Sequence, residues 1–563
     1  MKRLGGSVRW LVVLAVTFGI VAPSEARPRP RTRAAAVRPP ATRAKVAPKP
    51  RPTVAPRTSI AGVARPGRDL PGRRTSEATS PAERTADAID AILRGPLRFG
   101  TTGLYVVDAA SGAELFAVHA DDPLNPASNV KLVSTATALA AVGPDFRYTT
   151  SVLGVLPDSA GAIAGGVYLH GSFDPTLAVG HLDALAGDLA ARGVTEIQGD
   201  VVIGEQPTRD GIYRARVRVE VVAGAPGTAP TVTVGPDTAF VEVVNTATTS
   251  KRAKVRRGGV TIGSQMVTVD GQPRLRITVA GAIGKGRTVA RLVTTKERNW
   301  FTAHLFRAAL GRAGIAVGGV RTDALEDFVA ASGVRLPVPL ATHRSAPLAE
   351  LIAQINKRSI NWLSDRVLTT TVALSRGELP SMTDGVDAMY AWLDTRAAVA
   401  KDGAVLDTGS GLSYRTELSP RQLVRIVRAA AGYDAGAPDD AAATAFRRSL
   451  AVAGVDGTLR GRFRSPLRGR VEAKTGTLTG VIALSGLLHG GDGRTLAFAL
   501  VSNGHPPRRK LAVRAAHEQI LAELDRYLGA VAPAPAVDAV APTSELDRAT
   551  DGLADDLEPA SGE

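Results

Sequence analysis

The 563-residue chain has no cysteine. That excludes disulfides, thiolate metal sites, cysteine nucleophiles and lipid attachment through sulfur. Its eight histidines, at 119, 170, 181, 304, 343, 489, 505 and 517, form no H-E-x-x-H and no close pair, so no metal centre is expected. No convincing internal repeat is present. The folded body also lacks an excess of charge, although the whole chain carries +16. Residues 27–74 hold fourteen Arg or Lys against the single acid Asp69, and everything from Thr75 onward sums to only +1. The basic character belongs to a tail, so nucleic acid is not an expected partner of the body.

The two ends read differently from the middle. Lys2, Arg3 and Arg9 precede an apolar stretch from Trp10 to Ala22 and then Ser24-Glu25-Ala26, a secretory signal pattern over 1–26 with no membrane span left after cleavage. Residues 27–82 are Pro, Arg, Ala and Thr with almost no large apolar side chains, which predicts a disordered, extended linker. At the other end 531–563 is Pro/Ala-rich, with eight acids against Arg548, and is expected to be a disordered acidic tail.

Between them the pattern changes twice. A helix over 86–93, a hairpin of 104–108 and 114–118, and a helix entered at Ser128 make a first α/β segment, 83–148. Residues 149–334 are rich in Val, Thr and Gly, with strand-like runs at 151–155, 166–169, 197–203, 238–244, 259–268 and 273–280 and helical pieces at 181–192 and 298–313, so a mostly β insertion is expected there. Helical periodicity returns in 335–530, followed by strand candidates at 480–488 and 495–502 and a last helix over 510–528.

Three short motifs carry the chemistry. Ser128 and Lys131, three residues apart at the start of an apolar helix, place an amine beside a hydroxyl. A lysine held neutral by burial or by a nearby cation takes the proton that makes serine a nucleophile. Chance supplies about one S-x-x-K in a chain this long, so the pair means little alone. Ser359-Ile360-Asn361 and Lys474-Thr475-Gly476-Thr477 follow it in order. S-x-x-K, S-D-N and K-T-G are the signature set of class A β-lactamases and penicillin-binding proteins, acylated on the first serine. Each part has an expected task. Ser128 attacks a carbonyl and Lys131 accepts its proton. Ser359 relays a proton to the leaving amine, and Asn361 holds Lys131 and the substrate amide. Lys474 and Thr475 bind a terminal carboxylate, while Gly476 lets the substrate backbone lie close. The N–H groups of Ser128 and Thr477 form an oxyanion hole.

The 231 residues from Ser128 to Ser359 leave room for a large insertion that compact β-lactamases lack. In this layout the chain resembles the class C low-molecular-weight penicillin-binding proteins, the D-alanyl-D-alanine carboxypeptidase/endopeptidase family. The resemblance rests on Pro126-Ala-Ser-Asn-Val-Lys131, Gly143-Pro-Asp-Phe-Arg-Tyr148, Phe173-Asp-Pro-Thr-Leu177, Ile197-Gln-Gly-Asp200, Asp407-Thr-Gly-Ser-Gly-Leu-Ser413, Gly454-Val-Asp-Gly-Thr-Leu459 and Ala473-Lys-Thr-Gly-Thr-Leu-Thr-Gly480. It implies an α/β transpeptidase/β-lactamase-like core, an antiparallel sheet flanked by helices and split by the insertion, with no metal or cofactor. It also implies export to the periplasm or wall, peptidoglycan stem peptides ending in D-Ala-D-Ala and D-Ala-diaminopimelate cross-links as substrates, and β-lactams as covalent inhibitors. Two departures stand out. Ile360 occupies the place of the family's Asp or Asn, and its side chain is expected to point away from the reacting centre. The stretch after Gly204 lacks the family's aspartate and Trp-containing segment, where the diaminopimelate side chain is recognised. Asp407-Thr408-Gly409 also spells an aspartic-protease signature, but the two-carboxylate chemistry needs a second copy that the chain does not contain. A peptidoglycan-binding protein without turnover is the remaining alternative.

Overall fold

Three residues open the first described helix. Ser80 Oγ accepts from the Glu83 N–H, the Glu83 carboxylate accepts from the Ser80 N–H, and Pro81 opens the helix Pro81–Arg94. The computed structural model describes residues 80–529 apart from 206–208, 256–258, 332–336, 435–439 and 492. The expected signal segment, the linker as far as residue 79 and the tail from 530 lie outside the described residues.

The strands Thr101–Asp108 and Glu114–Val118 form the expected hairpin, and they complete a sheet whose other members come from the far end of the chain. The order is Ala451–Val452, Val471–Leu478, Val481–His489, Thr495–Asn503, Thr101–Asp108, Glu114–Val118, antiparallel throughout. Side chains alternate between two apolar layers. Leu104, Val106, Leu484, Phe498 and Leu500 pack with Ile89 and with Ile520, Leu521 and Leu524 of the last helix, Lys510–Tyr527. Tyr105, Val107, Ala483, Leu487, Ala499 and Val501 pack beneath the helices Val130–Val142, Leu348–Arg358, Asn361–Arg376 and Pro420–Ala430. With both faces covered, Val481–His489 is buried along nearly its whole length, which explains its continuous apolar run.

The insertion leaves and re-enters this core at one point. The Ser345 N–H donates to the Tyr148 carbonyl at 2.9 Å, and the Tyr148 N–H donates to Ser345 Oγ at 3.0 Å. Thr149–Gly154 pairs antiparallel with Val338–Arg344 in a five-stranded sheet ordered Val320–Thr322, Val201–Ile203, Val167–Gly171, Thr149–Gly154, Val338–Arg344. The return strand therefore stands with the insertion and not, as the sequence reading placed it, with the core from 335 onward. Among the described residues, three three-stranded sheets and a two-stranded pair complete the unit around an apolar cluster of its own. Their strands Arg216–Val222, Thr231–Gly235 and Thr288–Thr294 were not among the expected runs. Among the described residues, no helix is long and apolar enough to cross a membrane.

Candidate active site

Ser128 sits in a 3₁₀ turn, Ala127–Asn129, that feeds the helix Val130–Val142. Side-chain amides fasten this turn to the sheet. Asn125 Oδ1 accepts from the Ala127 N–H at 2.8 Å, and Asn503 Oδ1 accepts from the Asn125 N–H at 2.7 Å. Asn129 Nδ2 donates to Ser485 Oγ at 2.8 Å. Two glycines let the neighbours close in. A Cβ on Gly476 would lie 2.5 Å from the Pro126 carbonyl oxygen, and one on Gly411 only 2.1 Å from that of Ala127. Gly476 is thus required first by the nucleophile turn, a role that differs from the expected one of admitting the substrate backbone.

Lys131 is fully buried, and its Nζ donates to Ser128 Oγ at 3.0 Å, Asn361 Oδ1 at 2.7 Å and the Ser410 carbonyl at 2.6 Å. Burial disfavours the ammonium, and the carboxylate of Asp365 offsets this only in part. The amine is pulled down to about 7. It is therefore substantially neutral near physiological pH, and in that form Asn361 Oδ1 and the Ser410 carbonyl take its two N–H groups while its lone pair faces the Ser128 hydroxyl it would deprotonate. Sequence reasoning missed both Asp365 and Ser410. Asp365 lies one helical turn beyond Asn361, so the i, i+4 spacing marks it. Ser410 contributes its backbone carbonyl, which no residue type reveals.

Ser359 and Asn361 converge on the same centre by different means. Ser359 ends the helix Leu348–Arg358 in the left-handed region, φ 59°, and Asn361 opens the next helix. The sharp change of direction aims Ser359 Oγ at Lys474, which donates to it at 2.9 Å, and Asn361 at Lys131. Ile360, between them, packs against the apolar layer beneath the helices.

Lys474-Thr475-Gly476-Thr477 lies within a strand, Val471–Leu478, where the sequence reading placed it ahead of one. Lys474 is fully buried; its Nζ donates to Ser359 Oγ and, at 2.8 Å, to the Thr475 carbonyl. Burial, and then the charge of Lys131, pull its amine far below the usual lysine range. The strand splits the motif between two faces. Val471 and Ala473 pack toward the last helix, so Thr475 and Thr477 share that side, whereas Lys474 and Gly476 face the serine turn. Thr475 Oγ1 donates to Thr458 Oγ1 at 2.9 Å on the rim. The Asp407 carboxylate is occupied as a clamp on its own loop, accepting from Ser413 Oγ, Thr416 Oγ1 and Arg415 Nη2, which removes it from acid chemistry.

A serine within reach of a neutral amine, a second serine against a second buried lysine, and an exposed strand edge beside both together suit acyl transfer. Sequence and structure comparisons agree. The model of the D-Ala-D-Ala carboxypeptidase 3 (S13) family matches residues 85–210 and 205–524. A D-alanyl-D-alanine carboxypeptidase of an Actinomadura species is 31% identical over 492 residues, covering 79% of this chain and 85% of the relative. Carboxypeptidase DacB of Mycolicibacterium smegmatis is 30% identical over 444 residues, covering 78% and 84%. The crystal structure of penicillin binding protein 4 from Haemophilus influenzae, in complex with a β-lactam, shares the fold with a TM-score of 0.59 at 22% identity, covering 78% of this chain and 99% of that one. The chain belongs to the D-Ala-D-Ala carboxypeptidase 3 (S13) family and is a serine-type D-Ala-D-Ala carboxypeptidase of the penicillin-binding-protein kind.

Proposed function

We propose that this enzyme cleaves the D-Ala-D-Ala end of peptidoglycan stem peptides, outside the cytoplasmic membrane, through an ester on Ser128. One observation carries the residue assignment: the buried Lys131 amine, held near neutrality, stands 3.0 Å from Ser128 Oγ. Neutral Lys131 takes the Ser128 proton as Oγ bonds to the penultimate D-Ala carbonyl carbon. The N–H groups of Ser128 and Thr477 receive the oxyanion. As the C–N bond breaks, the proton held by Lys131 passes through the Ser359 hydroxyl, which Lys474 keeps hydrogen-bonded, to the leaving D-Ala amine, and Lys131 is neutral again. Water, deprotonated by Lys131, then hydrolyses the ester. D-Ala-diaminopimelate cross-links present the same reacting bond and are the second substrate, which makes the enzyme an endopeptidase as well. A β-lactam enters the first half of the cycle and remains on Ser128.

A fluorescent penicillin tests this. The purified protein should give a covalent band on a denaturing gel that Ser128→Ala abolishes. Because only neutral Lys131 is a base, the labelling rate should climb as pH rises through about 7. An unlabelled wild type at high penicillin and long times would leave a peptidoglycan-binding protein without turnover as the better reading.

A further inference from the structure

The helix that carries Asn361 begins without a cap. Its N-cap residue is Ile360, which has no side-chain acceptor for the N–H groups of the first turn, and among the described residues no side-chain hydrogen bond closes that end. Other helices of the core start differently. Ser381 caps Met382–Ala397 and Ser419 caps Pro420–Ala430, each accepting from a backbone N–H three residues on. An uncapped first turn is prone to fray, and here that turn has to keep Asn361 Oδ1 2.7 Å from the Lys131 amine.

The insertion supplies a hold of another kind. Trp362, the residue after Asn361, stacks on Tyr213 with ring centroids 5.8 Å apart and planes 20° apart. Arg366, one turn along the same face of the helix, lies over the Tyr213 ring at 4.9 Å, so one tyrosine spans the first two turns. Arg298 approaches that ring at 4.8 Å, and Arg214 approaches the ring of Trp362 at 4.9 Å. Cations over the electron-rich ring faces strengthen the stack. Tyr213 is itself presented from a firm base. Ile212 before it is buried in the insertion's own apolar cluster, and its N–H donates to Thr302 Oγ1 at 2.9 Å. Neither ring takes part in the proposed chemistry.

Resting on the acyl-enzyme reading above, we infer that Tyr213 is a positioning residue for acylation. It holds Trp362, Trp362 holds the uncapped helix start, and Asn361 thereby stays aimed at Lys131. The effect needs no contact between Tyr213 and the substrate.

Saturation kinetics with a fluorescent penicillin test this, because they separate the first-order acylation constant from the binding that precedes it. Tyr213→Ala should lower the acylation constant by about tenfold or more, the scale of a slightly misplaced catalytic group, and leave the binding constant within about twofold. Tyr213→Phe keeps the ring and should stay within about twofold of wild type in both. The decisive arm is the double variant. In an Asn361→Ala background, already slow, Tyr213→Ala should cost less than about twofold more, because the residue it acts through is gone. Equal losses in both backgrounds would overturn the inference and leave Tyr213 as a support of the insertion only. So would a Tyr213→Ala enzyme that acylates at the wild-type rate. Trp362→Leu removes the stack from the helix side and carries the same expectations, should Tyr213→Ala fail to fold. A wild type that penicillin never labels would overturn the acyl-enzyme reading itself, and this inference with it.

Discussion

The reacting centre and the insertion both bury charge, with opposite signs. Facing the serine turn, the fully buried titratable groups are amines, Lys131 and Lys474, each pulled downward. In the insertion they are carboxylates, Asp174 and Asp210, each pushed upward by burial. The insertion sets its acids beside imidazoles. His170 Nδ1 lies 3.7 Å from Asp210, and His343 Nε2 lies 3.8 Å from Asp174 with its ring stacked on His181 at 4.0 Å. Burial holds His170 and His343 down to about 4, so near pH 7 they are neutral neighbours and not counter-ions. The Asp210 carboxylate instead pins a strand, accepting from the Gly171 N–H at 2.6 Å. Desolvation thus has different consequences in the two regions. Next to serine hydroxyls it holds an amine near neutrality; in the insertion it favours a protonated carboxyl, against the pull of the Gly171 N–H toward the carboxylate.

The largest test of that contrast is Lys131→Met. Acylation should fall by about 10³-fold or more, since the proposed general base is lost with the Asn361 and Ser410 contacts. Stability should move the other way in its pH dependence. The folded-state value near 7 lies below the ordinary lysine value of 10.5, so the wild type gains stability as pH rises between the two. Met has no such slope, and the variant's relative stability should be greatest at pH 7 and below, with a span on the order of 4 kcal/mol. Denaturant melts at pH 6 and pH 9 read the slope, and parallel curves would contradict it. Asp210→Asn should show the mirror image. Burial raises the Asp210 carboxyl to about 6 from 3.8, so wild-type stability falls as pH rises through that window and stays reduced above it. Asn keeps an acceptor for the Gly171 N–H without the charge. The variant should gain on the order of 2–3 kcal/mol at pH 7.5, a gain that disappears at pH 4. Penicillin labelling should be unaffected, because Asp210 makes no contact with the serine site.

Much of this site is legible in the sequence because its parts are side chains at fixed local spacing. Ser128 with Lys131, and Ser359 with Asn361, are set by one helix start and one helix-to-helix corner, both readable from residue type. The strand carrying Lys474 was missed for a physical reason. Along Val471–Leu478 the face begun by Val471 and Ala473 continues with Thr475 and Thr477, and the other face carries Glu472, Lys474 and Gly476, so no apolar run announces it, and only pairing with Val481–His489 reveals it. In the insertion the failure was one of reading. Arg216-Val217-Arg218-Val219-Glu220-Val221 alternates as a half-buried strand should, with Val217, Val219 and Val221 fully buried. The Ser410 carbonyl lay beyond any local rule, because it is a backbone atom.

Smaller effects sharpen the picture of the core. Asp365 supplies the charge that raises Lys131 against the pull of burial. Asp365→Asn should therefore let the amine fall further, moving the acidic limb of the labelling rate toward lower pH by about one unit. A limb that stays in place, or moves toward higher pH, would mean that Asp365 does not act on Lys131 through its charge.

Ile360→Asn should have the smallest effect on chemistry, although it restores the residue type more usual at that place. The reacting geometry depends on Ser359 in its left-handed conformation and on Asn361 at the helix start, and Ile360 enters through its extended backbone, φ −76° and ψ 108°. Its side chain belongs to the apolar layer, where it is only partly buried. Exchanging it for an amide removes apolar contact, about 1 kcal/mol of stability, and adds no group near Lys131. Labelling rates should stay within about threefold of wild type, while the thermal midpoint drops by a few degrees. A tenfold rise in labelling would show instead that the middle position reaches the reacting centre and that Ile360 restrains this enzyme.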